Sequence, residues 1–203
     1  MARTIGSDGG KTEAAIRMAA AGLVARHGFE AVTMRQLASE VGVQAAALYR
    51  YFPTKQDLLF KLMSRHMEEL LSSWDDAANR HADQPDDRLA AFVEHHIRFH
   101  LERRETTHVS NLELRSLSPE QLSPILGLRA RYEAELRAIL QKGSDVGCFA
   151  IEDTALTTMA IIQMITGVIV WYRPQDRLSV DQLIAHYRIM TLRLVGAAHD
   201  HTD

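Results

Sequence analysis

A single cysteine, Cys148, is the entire thiol content of this 203-residue sequence. No intrachain disulfide can form, which suits a reducing cytoplasm. A redox sensor would need an accessible thiolate held beside a cation. Gly147, Phe149 and Ala150 provide none, so Cys148 reads as a buried structural residue. No stretch alternates apolar and polar residues with the period of two that a strand requires, and the prolines and glycines stand between helical patterns. There is no glycine-rich phosphate loop, no Gly-x-Ser-x-Gly elbow and no His-Glu-x-x-His pair. Glu68 with Glu69, and Asp75 with Asp76, fall on the polar face of a long helix, as solvated charges do. No catalytic residue and no cofactor is expected. The opening MARTIGSDGG lacks the apolar core of a secretory signal and reads as a flexible arm over residues 1–10. The most apolar stretch, residues 155–171, is interrupted by Thr157, Thr158, Gln163 and Thr166 and is short for a bilayer. A buried helix is expected there, with no membrane partner.

What is present is an ordinary globular composition, 46% hydrophobic and 24% charged, in a chain long enough to bury a substantial core. The net charge of −3 is unevenly spread: residues 1–60 carry seven Lys and Arg against five acids, a surplus of +2, leaving −5 for the remainder. Such asymmetry fits a polyanion-facing end on a solvating body. Apolar residues recur at helical spacing in about nine segments: 12–27, 33–41, 44–51, 54–79, 87–102, 105–117, 118–142, 154–172 and 179–196. Thr33 with Gln36, Thr54 with Asp57, Ser118 with Gln121 and Ser179 with Gln182 have the spacing of capping boxes, and Asp153 is a further N-cap. Gly28, Gly42, Gly143 and Gly147 are expected helix stops. Pro53 and Pro174 break the chain, and Pro124 delays or bends the helix that Ser118 opens.

The spacing within residues 33–57 carries the functional signal. Two short helices joined through Gly42, with Ala38, Val43, Ala47 and Leu48 small or apolar at their junction, form a helix-turn-helix. The exposed face of the second helix then presents Gln44, Ala45, Ala46, Tyr49 and Arg50. Gln can bond an adenine edge bidentately, and Ala can touch a thymine methyl. Tyr49, Tyr51 and Lys55 suit phosphates, and the N–H groups opening the fourth helix beside Lys55 form an expected anion site. Arg35, early in the first of the two short helices, completes the expected contact set.

Ala25-Arg-His-Gly-Phe29, Thr33-Met-Arg-Gln-Leu-Ala38, Val41-Gly-Val43, Leu48-Tyr-Arg-Tyr-Phe-Pro-Thr-Lys55 and Leu58-Leu59 together resemble the N-terminal domain of the TetR (tetracycline-repressor-like) regulators. The resemblance implies DNA contacts at Thr33, Gln44, Tyr49, Tyr51 and Lys55. This chain has Ala45 and Ala46 where the family often carries Ser or Thr. An all-α fold follows: a helix-turn-helix domain over residues 11–55, then a larger helical domain for ligand binding and dimerisation over residues 56–203.

The resemblance also implies a homodimer on a palindromic operator, a four-helix dimer interface, a cytoplasmic location and a small hydrophobic effector. Residues 154–172 are apolar nearly all round, so they and the last helix are expected to pair with their copies in a partner. The expected pocket lining includes Phe92, His96, Phe99, Leu112, Leu126, Tyr132, Met159, Gln163 and Gly167. Trp171-Tyr-Arg-Pro174 resembles regulators that sense acyl-coenzyme A thioesters of lipid catabolism. Trp171 would stack an adenine, and Arg173, Arg177, Arg129 or Arg131 would hold phosphates. Under the competing reading, Trp171 seals the dimer and the arginines are surface charges; hydrophobic drugs, with an efflux or detoxification gene as target, or a free fatty acid, are the competing effectors. His96 and His100, four apart on one helix, have chelating spacing with Glu113 as a candidate third ligand, but no metal is assigned. A helical enzyme or a scaffold without DNA binding is the remaining alternative.

Overall fold

The computed structural model describes residues 9–79 and 84–197, all helix, turn and loop. The expected arm at 1–10 lies outside the described residues apart from Gly9 and Gly10, which already belong to the first helix. The elements are α1 (Gly9–His27), α2 (Met34–Val41), α3 (Ala45–Tyr51), α4 (Lys55–Ala78), α5 (Pro85–Glu102), α6 (Arg104–Leu112), a 3₁₀ turn (Leu114–Ser116), α7 (Pro119–Asp145), α8 (Thr154–Thr166), α9 (Val168–Trp171) and α10 (Val180–Leu194). Among the described residues two compact units emerge, one up to residue 67 together with 105–126, the other 68–104 together with 127 onward.

In the first unit α2 starts where its sequence says it should. The Thr33 side chain accepts from Gln36 N–H while the Gln36 side chain accepts from Thr33 N–H, so two otherwise orphaned donors are satisfied. Gly42 ends α2 at φ 72°, in the left-handed region, which costs an L-residue about 1–2 kcal/mol. A Cβ there would meet nothing within 4 Å, so backbone conformation and not space demands glycine. Ile16, Phe29, Leu37, Leu48, Phe52, Leu59 and Met63 are buried in one cluster with Val109, Leu117 and Ile125. Two short helices cannot bury a core alone. Here α1, the first half of α4 and the α6–α7 segment cover them, which is why this unit does not stop at residue 55.

In the second unit α5 packs against α8, α9 and α10. Trp74 is fully buried, edge-on to Phe92 at 4.9 Å, and its indole N–H donates to Glu135 at 3.3 Å. Gly143 is not a helix stop. It lies inside α7, and a Cβ there would fall 1.9 Å from the Phe149 ring; the glycine lets Phe149 fold back onto its own helix. Gly147, at φ 78°, ends the turn that follows α7.

Three boundaries differ from expectation. α6 stops at Leu112, and the 3₁₀ turn follows because the Glu113 carboxylate is engaged by Phe29 N–H and Ser116 Oγ. Pro124 sits within α7, which starts at Pro119 regardless. The helix expected over 154–172 is interrupted at Gly167, where Val170 N–H turns to the Gly167 carbonyl. Counting α8 and α9 as one interrupted helix leaves nine α-helices among the described residues. This helix is not covered all round within one chain: Leu156, Met159, Val170 and Trp171 are half or more exposed. By length and composition alone, Thr154–Trp171 is apolar enough to cross a membrane. Its polar breaks and its packing against α5 agree better with a helix that buries one face and offers the other.

Candidate DNA interface and effector region

In the first unit α3 is held by Leu48, which is fully buried, and by Phe52 at its end. Its opposite side is open. Gln44 is the N-cap residue but makes no side-chain cap bond, so its carboxamide is not spent on the cap. Ala46 and Arg50 are exposed, Tyr49 is 49% exposed, and Ala45 and Tyr51 are half-buried. Arg35 and Thr33 are exposed on and beside α2. A two-turn helix with a short apolar centre and polar ends presents a smooth, narrow edge, the shape a major groove admits.

Two expected contacts are occupied differently. The Lys55 ammonium donates to the Phe29 carbonyl at 2.9 Å and the Glu30 carbonyl at 3.4 Å, and stands 4.2 Å from the Phe29 ring centre. It ties backbone while remaining half-buried. The anion site at the start of α4 is likewise partly filled. Thr54 N–H donates to the Asp57 carboxylate, and Asp57 N–H donates to Thr54 Oγ1. The cap thus engages two of the donors at that helix start.

In the second unit a buried polar cluster lies between α5, α7 and α8. His96 Nε2 bonds Thr166 Oγ1 at 2.9 Å and its Nδ1 is 3.3 Å from Tyr132 Oη. His95 reaches the same hydroxyl at 3.5 Å and Ser73 Oγ at 2.8 Å. His100 stacks on His96 with centroids 4.0 Å apart, and its Nδ1–H donates to the His96 carbonyl at 2.7 Å. Of the expected lining, Phe92, His96, Phe99 and Tyr132 are buried here, and Phe99 with His95 borders an open cleft of ≈ 310 Å³. Half-buried Arg129 has its pKa lowered by burial, an effect Glu133 opposes. Sequence reasoning missed His95, Ser73 and Thr166, whose roles depend on pairings across the fold. Among the described residues no group of three His, Cys, Asp or Glu is placed to hold a metal ion. Glu113, the candidate third ligand, is engaged in the first unit.

Burial lowers the His100 pKa from 6.5 to about 4, aided by the charges of His95, Arg129 and Arg103 and opposed by the bond to His96. The neutral ring is therefore the folded form. Above pH 6.5 folded and unfolded states are both neutral at this site; as pH falls the unfolded chain binds the proton first. The contribution of His100 to stability is expected to fall by roughly 3 kcal/mol between pH 6.5 and pH 4, and to change little below that. Urea midpoints across this range check it: His100→Gln should flatten the profile, and an unchanged slope would contradict it.

The other expected effector residues lie elsewhere. Leu112 ends α6 in the first unit and is 58% exposed. Met159, Gln163 and Trp171 are exposed on the outer face of α8 and α9, with Gly167 half-buried between them, so within one chain they line no interior pocket. Arg173 donates to the Val170 and Tyr172 carbonyls and its N–H to Asp176. It caps the end of α9, joined by Arg104 on the same Tyr172 carbonyl. Tyr172, 2% exposed, anchors this corner by donating to the Leu178 carbonyl. Cys148 is half-buried, and burial together with the Asp86 charge raises its pKa, which disfavours thiolate chemistry.

A helix-turn-helix with an open recognition edge, joined in sequence to an all-helical body holding a buried polar cluster, defines a DNA-binding regulator. Residues 16–62 match the bacterial regulatory proteins of the tetR family and residues 82–195 the tetracyclin repressor-like C-terminal domain. The chain belongs to the tetR family. Regulators of this family are non-enzymatic DNA-binding proteins of dimeric architecture, soluble and cytoplasmic. Among similar proteins is the nucleoid occlusion factor SlmA of Haemophilus influenzae (strain PittGG), 42% identical over 67 residues. That stretch is 33% of this chain and spans only 30% of SlmA's length. The HTH-type transcriptional repressor KstR2 of Rhodococcus jostii (strain RHA1) is 24% identical over 204 residues, covering 98% of this chain and 96% of that protein. Among solved structures, the TetR family transcriptional regulator PfmR from Thermus thermophilus is 31% identical over 88% of this chain and 97% of its own, with a TM-score of 0.80. AibR, solved in complex with isovaleryl coenzyme A and operator DNA, shares the fold at 24% identity, over 92% and 100% of the two chains, with a TM-score of 0.79.

Proposed function

We propose that this chain is a homodimeric repressor that binds a palindromic operator through α3 and is released by a small hydrophobic effector, an acyl-coenzyme A thioester. The observation that carries it is the open α3 edge, on which Gln44, Ala46, Tyr49 and Arg50 stand exposed with Ala45 half-buried among them. Thr33, Arg35, Tyr51 and Lys55 complete the proposed DNA contacts. Residues 11–55 carry the DNA contacts, and residues 56–203 supply dimerisation and effector binding. Leu156, Met159, Gln163, Gly167 and Trp171 with Met190 form the dimer face, since burying them needs a second copy. His96, Phe99, Arg129 and Tyr132 belong to the effector region. KstR2, a repressor, and AibR, solved with an acyl-coenzyme A and operator DNA, support the effector class.

Release is a two-state shift, in which the effector must bind the DNA-incompetent body more tightly than the DNA-bound one. The test is a titration of acyl-coenzyme A thioesters of increasing chain length against the complex with a duplex selected by the protein from a random pool. Release at one chain length, with a change in Trp fluorescence, is expected. No release by any thioester, or release by hydrophobic drugs alone, would overturn the acyl-coenzyme A assignment while leaving DNA binding intact.

A further inference from the structure

Tyr132 Oη stands between two imidazole nitrogens, 3.3 Å from His96 Nδ1 and 3.5 Å from His95 Nδ1. Burial, helped by the charge of Glu135, raises its pKa well above the ordinary value, so the phenol keeps its hydrogen. With one hydrogen it can donate to one ring and must accept from the other. The chain continues on both sides. His95 Nε2 lies 2.8 Å from Ser73 Oγ, which already donates to the Leu70 carbonyl at 3.1 Å. His96 Nε2 lies 2.9 Å from Oγ1 of Thr166, the last residue of α8.

The direction of each bond follows. Ser73 accepts from His95, so neutral His95 carries its hydrogen on Nε2 and its Nδ1 accepts from Tyr132. Tyr132 then accepts from His96 Nδ1–H, and His96 Nε2 accepts from Thr166. A proton added at His95 Nδ1 reverses the order. Tyr132 now accepts from His95 and donates to His96 Nδ1; His96 carries its hydrogen on Nε2 and donates to Thr166. The net gain is one proton, on His95, while His96 stays neutral and exchanges its tautomer. The Thr166 hydroxyl hydrogen is released to the carbonyl four residues back, that of Ile162. Thr158 and Thr191 make that type of bond, each at 2.7 Å, and such back-bonding bends a helix.

His95 is half-buried on the open cleft, whereas His96 is 2% exposed. The cleft also carries Glu94, Arg98, Glu102 and Arg103. Arg98 pairs with Glu94 and Asp181, Arg103 with Glu69 and Glu102, and Arg188 of α10 approaches Glu94. From α4 Trp74 packs on the His95 ring at 5.6 Å, its N–H held by Glu135 of α7. His100, stacked on His96 and acted on by Arg129, has its pKa lowered to about 4. It therefore stays neutral where an ordinary histidine titrates, at about 6.5.

We propose that Ser73, His95, Tyr132, His96 and Thr166 form a proton-driven relay that carries the protonation state of His95 at the cleft to the last turn of α8, just before the break at Gly167. A molecule meeting Tyr132, His96 or Thr166 finds a different set of donors above and below the transition. That consequence rests on the reading of this cluster as the effector region; the relay itself involves neither effector nor DNA.

Long-range ¹H–¹⁵N spectra of the free protein with ¹⁵N-labelled histidine, followed from about pH 8 to about pH 5 around the ordinary histidine range, read each ring nitrogen directly. His95→Gln and His96→Gln assign the signals. Expected is His96 with its hydrogen on Nδ1 at high pH, changing to Nε2 with the same midpoint at which His95 becomes doubly protonated. Tyr132→Phe should leave His95 titrating while His96 holds one tautomer throughout. His95→Gln should also hold His96 in one tautomer, and it serves if Tyr132→Phe fails to fold. A His95 that does not titrate in this range, a His96 that keeps its tautomer while His95 does, a His96 that takes up the second proton itself, or a tautomer change that persists in folded Tyr132→Phe or His95→Gln would overturn the relay. None of these outcomes depends on an acyl-coenzyme A or a duplex, so failure of the proposed function is read separately.

Discussion

Ala46→Glu is expected to abolish specific DNA binding, by about a hundredfold or more, without harming the fold. Ala46 is exposed one residue into α3, away from the buried Leu48. In the first turn of a helix a carboxylate is favoured by the helix dipole, by about 0.3–1 kcal/mol, so folding has no reason to suffer. At the groove the same charge meets the densest anion in the cell, one negative charge per ~1.7 Å of duplex axis. Like charges brought together across an interface cost several kcal/mol, and a dimer suffers this at both half-sites. Electrophoretic shifts with the selected duplex, alongside circular dichroism, check the result. Ala46→Lys is the control: it should hold or raise general affinity while blurring discrimination between sequences. An Ala46→Glu protein that shifts the duplex like wild type would place the interface elsewhere.

The second large effect concerns the apolar face. Leu156→Glu combined with Met190→Glu is expected to turn a dimer into a folded monomer of 22.8 kDa, read by sedimentation. The residues are 67% and 42% exposed within one chain, so the monomer loses little by carrying charge there. In a two-fold interface built from α8 and α10 each carboxylate would be buried, and burying an unpaired charge is expensive. Binding to the palindrome should fall by about 10²–10⁴, the avidity lost when two linked sites become independent, while any single half-site is still recognised weakly. A protein that stays dimeric with both substitutions would move the interface off this face.

What the sequence made legible was local. The boxes at Thr33 and Ser179 are complete in the structure, because a cap needs only residues three apart. The turn at Gly42 was readable for the same reason. The roles that escaped depend on contacts far along the chain. Lys55 reads as a phosphate ligand because it is a cation at a helix start; its bonds to the carbonyls of residues 29 and 30 have no local signature. His96 invited a metal reading through its spacing to His100, whereas its ring bonds Thr166, 70 residues away. Gly143 looked like a stop, and only the fold reveals the Phe149 ring resting against it. Trp171 and Met159 were expected in a pocket by resemblance, yet both stand exposed on one chain. Periodicity identifies an apolar face but cannot tell whether a core or a second molecule covers it.

The central claim, that this chain reads DNA through α3, is tested most directly by measuring wild-type affinity for its selected duplex across a salt series, beside Ala46→Glu. The expected wild-type result is a linear fall of log K with log salt, at about 0.9 per neutralised phosphate, and a preference for the selected duplex over a scrambled one. Ala46→Glu should keep only a weak affinity that does not distinguish the two. Affinity independent of salt, or equal for both duplexes in the wild-type protein, would contradict it.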